Sequence, residues 1–211
     1  MADEGVPVAG VLLAGGLSRR MGGGDKSLHL LGGRIILAHV IDRIRPQVMR
    51  LALNANGDPS RFAVFGLPVV GDSIGGFAGP LAGVLAGLDW ATEAAPECRW
   101  LLSAPTDAPF LPKDLVRRLL DGASNGAQVS VAASAGRSHP VVALWSVALR
   151  QPLRDALEGG VRKVEDFTRG YQVATVEFPV DPIDPFFNLN RPGDLAEAER
   201  LLGEGSRKAP S

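Results

Sequence analysis

The 211-residue chain is 45% hydrophobic, enough for one sizeable core and marginal for two domains. Its 22 basic and 23 acidic residues nearly cancel, which removes any general electrostatic argument for nucleic acid or an anionic membrane as a partner. The single cysteine, Cys98, excludes an intrachain disulfide, and neither a signal peptide nor a membrane-span-length apolar run is present, so a soluble cytoplasmic protein is expected.

Apolar runs of strand length alternate with helix-period stretches. Val8 to Ala14 reads as a buried strand ending in glycines. Arg34 to Arg45 sets Ile36, Leu37, Val40, Ile41 and Ile44 on one helical face, and Pro46 marks its end. Arg50 to Asn54 and Leu67 to Val70 are short strands. Pro80 suits the first turn of a helix striped with Leu81, Val84, Leu85 and Leu88. Trp100 to Ala104 is a further buried strand, and Pro112 opens a helix carrying Leu115, Val116, Leu119 and Leu120.

Strands follow at Val129 to Ala133 and Val141 to Trp145, then helices near Val147 to Leu157 and Val164 to Thr168. Val173 to Phe178 is the last strand, and Pro192 opens a terminal helix ending near Leu202. The pattern predicts a single α/β, Rossmann-like domain over residues 1–203, with a mainly parallel sheet flanked by helices on both faces. Residues 204–211 read as a disordered tail. Ligands of such sheets bind beyond the carboxyl ends of the strands, which selects the loops after Ala14, Asn54, Val70 and Ala104.

The first of those loops runs Gly15-Gly16-Leu17-Ser18-Arg19-Arg20-Met21-Gly22-Gly23-Gly24-Asp25-Lys26. Glycines let backbone amides turn toward an anion, and the cations supply charge against a triphosphate. A P-loop needs Gly directly before Lys, and here Asp25 intervenes. No glycine triple beginning at Gly15 or Gly16 fits the dinucleotide fingerprint.

The string from Leu13 to Lys26, L-A-G-G-x-S-x-R-M-G-x-x-D-K, resembles the signature loop of the molybdenum cofactor guanylyltransferases. These belong to a wider group of sugar-phosphate and related nucleotidyltransferases. Asn54-Ala55-Asn56, Asp72, Gly79-Pro80-Leu81-Ala82-Gly83, Pro105-Thr106-Asp107 and Asn188-Leu189-Asn190-Arg191-Pro192 follow in the family's order. Together they span residues 8 to 202.

The resemblance implies GTP and molybdopterin as substrates and Mg²⁺ as the metal, held by Asp107. It places Leu13, Ala14, Gly15 and Gly16 against the nucleotide, with Asn54 and Asp72 nearby. Arg20 and Lys26 are the candidates for the phosphates and the departing pyrophosphate. Pro80, Leu81, Asn188 and Asn190 are candidate substrate contacts, the two asparagines alternating as on a strand. In Arg137-Ser138-His139-Pro140, similar to a segment near the pterin side, Ser138 stands where relatives often carry an acid. Transient contacts with molybdenum-inserting proteins and acceptor molybdoenzymes follow from the same resemblance.

Read without it, Asn54 is a turn residue, Asp72 a surface acid, Asp107 a turn or capping acid and His139 a packing histidine. Arg162 and Lys163 are further phosphate candidates, and Trp90, Trp100 and Trp145 read as core. Two rivals remain in view. A cytidylyltransferase typically carries Leu-Ala-Ala-Gly where this chain has Leu13-Ala14-Gly15-Gly16, and a catalytically silent regulator has no need of Lys26 and Asp107.

Overall fold

The computed structural model describes residues 6–14, 25–76, 79–181, 183–190 and 192–207. In chain order these form β1 (Val8–Leu13), β2 (Leu30–Leu31), β3 (Arg34–Ile35), α1 (Ile36–Ile44), β4 (Arg50–Asn54), β5 (Val69–Val70) and α2 (Pro80–Ala94). There follow β6 (Trp100–Pro105), α3 (Leu115–Ala123), β7 (Val129–Ser134), β8 (Arg137–Ser146), α4 (Arg150–Glu158), α5 (Val164–Thr168), β9 (Val173–Phe178) and α6 (Pro192–Arg207). Among the described residues no helix is long and apolar enough to cross a membrane.

Seven strands make one sheet in the order β5-β4-β1-β6-β8-β7-β9, and β2 with β3 makes a separate two-stranded hairpin. In the large sheet β8 is antiparallel to both neighbours, and every other pairing is parallel, which is the mainly parallel sheet expected. Because β8 alone is reversed, the carboxyl ends of β1, β4, β6, β7 and β9 and the amino end of β8 share one edge.

Alternation along β1 feeds two cores. Val8 and Leu12 point to the face covered by α1 and α3, while Ala9, Val11 and Leu13 point to the face covered by α2, α4 and α5. A third cluster, with Leu31, Ile36, Phe110, Leu189 and Ala198, gathers under α6. Trp145 is fully buried as expected, but Trp90 and Trp100 are only half-buried.

Several boundaries differ from the sequence reading, four of them with a clear cause. Helix α1 begins at Ile36 rather than Arg34, because Gly32 and Gly33 (φ +58° and +77°) turn the preceding residues into the β2–β3 hairpin. Helix α3 begins at Leu115 rather than at Pro112. Gln47 caps it from outside, donating to Pro112 O at 2.8 Å and accepting from Val116 N at 3.0 Å.

Strand β8 starts at Arg137, because Ala135 and Gly136 (φ +48° and +70°) fold β7 back on itself. The pairing then slips between Val131↔Ala143 and Ala132↔His139, so Pro140–Val142 bulge out of the ladder. Buried Ser103 steadies that bulge, its hydroxyl donating to Val141 O at 2.7 Å and accepting from Trp145 Nε1 at 2.9 Å. Helix α6 continues past Leu202 to Arg207, since no proline stands in its path.

Helix α2 lies directly on β1, and glycines permit it. A Cβ at Gly87 would stand 2.6 Å from Val11 Cγ1 and 3.0 Å from Leu101 Cδ2, inside van der Waals contact. Both neighbours are core residues with no room to retreat. Gly87→Ala gains about 1 kcal/mol of helix propensity, yet overpacking of a dense core costs about 1–3 kcal/mol. Chemical denaturation should therefore find the variant less stable than the parent; a more stable variant would mean that α2 stands further from the sheet.

Candidate active site

Strand register assembles the site. Leu13, the last residue of β1, pairs with Asn54 on one side and Pro105 on the other. Neighbouring strands lie about 4.8 Å apart, so the loops after β4, β1 and β6 share a shelf about 10 Å wide. Candidate residues Gly15, Gly16, Arg19 and Arg20, which follow β1 in the chain, lie outside the described residues. Leu13 O accepts from Thr106 Oγ1 at 3.4 Å, and Ala14 N donates to Asn54 O at 2.9 Å. The amide of Ala14 is thus engaged within the sheet.

On one side of the shelf a carboxylate is held in a fixed orientation. Buried Asn54 donates through Nδ2 to Val70 O (3.2 Å) and to Asp72 Oδ1 (3.0 Å). Asn56 donates to Asp72 Oδ2 at 2.8 Å and accepts from Asp72 N at 2.9 Å, closing a ring. Each carboxylate oxygen keeps acceptor capacity beyond these bonds. Asn54 therefore orients Asp72, and Asn56 is a second partner that sequence reasoning left without a role.

Gly83 of α2 is the second unassigned residue here. A Cβ at that position would overlap Asn54 Oδ1 and lie 2.9 Å from Leu13 Cδ2. Only glycine lets the helix pass beneath Asn54 without moving its amide. The same helix begins at Pro80, and Leu81 is buried in the core beneath it. The substrate contact expected of Leu81 can therefore come only from its main chain.

Across the shelf stands Asp107, half-buried just past β6. Burial pushes its carboxyl above the ordinary range, the Asp25 charge acts in the same direction, and the Lys26 ammonium opposes both. Among the described residues no side chain donates a hydrogen bond to it. Lys26 opens a 3₁₀ turn (Lys26–Leu28) capped by Asp25, whose Oδ1 accepts from Ser27 Oγ at 2.7 Å. The turn aims Lys26 Nζ at Asn190 Oδ1, 3.2 Å away.

Asn188 and Asn190 alternate with buried Leu189 and are both exposed, but the segment is irregular and not a strand. Its spacing comes from anchoring: Leu189 N donates to Asp107 O at 3.0 Å while its side chain enters the third core cluster. Arg162 turns back on its own chain, donating through Nη1 to Leu157 O and Val161 O at 2.9 and 2.8 Å. Lys163 precedes α5, where its carbonyl accepts from Phe167 N at 3.3 Å.

Among the described residues no group of three or more His, Cys, Asp or Glu could hold a metal. A lone carboxylate at a strand end suits a hard divalent cation that keeps its waters and takes phosphate oxygens. The absence of competing donors around Asp107 fits that role. A groove of about 860 Å³ lies at the opposite edge of the sheet, between Val8, Val48, Trp100, Val116 and Leu120. Lys113, Asp114, Arg117 and Asp121 also line it, and it brings together none of the candidate site residues.

Residues 10–176 match the MobA-like NTP transferase domain. The chain belongs to that family. It is 60% identical over 203 residues to a molybdenum cofactor guanylyltransferase of Rhodopseudomonas palustris strain HaA2, covering 95% of this chain and 94% of the relative. Among solved structures it resembles the molybdopterin-guanine dinucleotide biosynthesis protein A of Archaeoglobus fulgidus, with TM-score 0.72, 21% identity, and coverage of 93% and 99% of the two chains. It also resembles a Mycobacterium tuberculosis H37Rv protein solved in complex with manganese, with TM-score 0.66, 16% identity, and coverage of 92% and 98%. These last two likenesses concern the fold of the MobA-like domain.

Two tests follow from the geometry. The pKa of Asp107 is raised on folding, so the folded state holds this proton more tightly than the unfolded chain. Stability then falls as pH rises from the ordinary carboxyl range through the raised value, and at neutral pH the charge opposes folding. Asp107→Asn should raise Tm of the ligand-free protein at pH 7, with the gain shrinking as pH falls into the carboxyl range. A lower Tm at pH 7 would mean that the carboxylate stabilises the fold.

The second test concerns Gly83. Gly83→Ala displaces the Asn54 amide and with it one support of Asp72, and a misplacement near 1 Å can cost about 100-fold in turnover. Titration calorimetry should show nucleotide affinity at least about tenfold weaker on the same grounds. Unchanged affinity would separate Asp72 from nucleotide binding.

Proposed function

We infer that the protein transfers GMP from GTP to the phosphate of molybdopterin, giving the guanine dinucleotide form of the cofactor and pyrophosphate. The observation that carries this reading is a convergence. Lys26 and Asp107, from different loops of the nucleotide shelf, are both tied to residues 183–190, through Asn190 and Leu189. A donor site at the shelf and an acceptor site beyond that segment then meet at one place. The identity to the Rhodopseudomonas guanylyltransferase supports the same reaction.

In the reaction a molybdopterin phosphate oxygen forms a bond to the α-phosphorus of GTP, and the bond from that phosphorus to the bridging oxygen of pyrophosphate breaks. No general base is needed, because the attacking phosphate is already an oxyanion at neutral pH. Lys26 neutralises charge on the phosphates, where it spreads as pyrophosphate departs. Asp107 would hold Mg²⁺, which when bound supplies Lewis-acid neutralisation of the triphosphate. The manganese complex of the Mycobacterium relative is in keeping with a divalent metal in this fold. Release of the product to molybdoenzymes through transient contacts in the cytoplasm belongs to the same reading.

Base choice rests on Asp72. Guanine presents two adjacent donors, N1–H and the 2-amino group, and a carboxylate fixed by Asn54 and Asn56 accepts both. Cytosine offers an amino donor beside the N3 acceptor, which would face a carboxylate oxygen with its own lone pair. A site that leaves buried polar groups unpaired with the wrong ligand can discriminate by roughly 10⁴-fold. Competition turnover with GTP and CTP, in Mg²⁺ with molybdopterin, should favour GTP by at least about 10²-fold, and Asp72→Asn should shrink the ratio. A preference for CTP would replace this reading with cytidylyl transfer.

A further inference from the structure

Residues 183–190 cross the carboxyl edge of the sheet, and a buried polar group pins their far end. Ser134, at the end of β7, is 1% exposed. Its hydroxyl lies 2.9 Å from Asp184 Oδ1 and 2.7 Å from His139 Nε2. His139 and Ser134 reach the same face because His139 pairs with Ala132, two residues from Ser134, after the register slip in β8.

The direction of these bonds follows from proton counting. A carboxylate only accepts, so the single Ser134 proton goes to Asp184. The hydroxyl then has none to offer His139, and the imidazole must donate through Nε2–H. Burial lowers the pKa of His139, the Asp184 and Glu177 charges oppose that shift, and Arg137 reinforces it. The same Asp184 Oδ1 also accepts from Phe186 N at 2.9 Å, and Asp184 O from Phe187 N at 3.1 Å, closing a turn. Phe186 then packs against the His139 ring (4.6 Å between centroids) and edge-on to Phe178 (5.2 Å).

We propose that Ser134, His139 and Asp184 are positioning residues for the acceptor substrate, fixing the segment that carries Asn188 and Asn190. The segment hangs between two anchors. Lys26 and Asp107 hold its 189–190 end to the nucleotide shelf. The Ser134 group holds its 184–186 end over β8 and β7, two and three strands away from β1. Exposed Asn188 lies between the anchors, so its place is set by both. Loss of the Ser134 group frees the end remote from GTP and leaves the Lys26–Asn190 and Asp107–Leu189 contacts standing. The defect should therefore fall on the acceptor and spare the nucleotide.

The inference rests on the guanylyl-transfer reading for its acceptor, and the test has two arms that can fail separately. Hydrogen–deuterium exchange on the full chain compares the parent with Ser134→Ala and Ser134→Thr. Faster exchange at Phe186 and Phe187 in the alanine variant, with Leu189 unchanged and parental exchange restored by threonine, is the expected result. Steady-state kinetics then varies each substrate. Ser134→Ala and His139→Asn should raise the acceptor KM about tenfold or more, as loosened positioning does, while the GTP KM and calorimetric GTP affinity stay within about twofold.

Exchange unchanged in Ser134→Ala overturns the positioning role whatever the reaction is. Equal losses for both substrates, or parental kinetics in a parent that makes the guanine dinucleotide, overturn the acceptor assignment. A parent that binds GTP but transfers nothing to molybdopterin overturns the reaction itself, and the exchange arm still decides the positioning role.

Discussion

A close approach of helix α2 to the sheet sets the geometry of the site above it. Gly83 and Gly87 stand one turn apart on α2, and both face side chains that leave no room for a methyl group. Their bare surface lets α2 lie against β1 and β4, so Asn54 can be buried with its amide aimed along the sheet edge rather than into solvent. A buried amide must find partners. Here they are Val70 O and Asp72 Oδ1, so the packing constraint becomes a fixed carboxylate at the lip of the site. Sheet order then places that carboxylate, just past β5, three strands from Asp107, just past β6.

The two acids are treated in opposite ways. Asp72 is satisfied by two amides, which suits a group that reads hydrogen-bond donors in a fixed direction. Asp107 is desolvated and has no side-chain donor among the described residues, which suits a group that a cation will compensate. Lys26 stands between these needs, lowering the cost of the Asp107 charge while bonding Asn190 from the far end of the chain. Residues 189 and 190 thereby stand against Asp107 and Lys26, although residues 26 and 190 are far apart in sequence.

Strands β4 and β9 and helix α5 were legible to the residue, because short apolar runs bounded by polar residues leave little choice of period or boundary. Strand β3 of the hairpin at Gly32–Gly33 was hidden under a helical pattern that begins two residues too early. The first half of β8 was hidden by Pro140, which argues against a strand until the bulge beside it is seen. Asn188 and Asn190 shared exposure as alternation suggested, but tertiary anchoring of Leu189 produced it, not a strand. The roles of Asp72 and Asp107 came from family resemblance. Asn56, Gly83, Ser134 and Asp184 act through partners distant in the chain, and periodicity carries no information about such partners.

The central claim is that one shelf, bounded by Asp72 and Asp107 and closed by residues 183–190, holds the guanine nucleotide. A crystal structure of the protein with a non-hydrolysable GTP analogue and Mg²⁺ tests it most directly. The account predicts guanine N1 and its amino group within hydrogen-bond distance of Asp72, the metal on Asp107, and Lys26 against the phosphates. Nucleotide bound at the groove by Trp100, or bound at the carboxyl edge with Asp72 and Asp107 both out of contact, would contradict it.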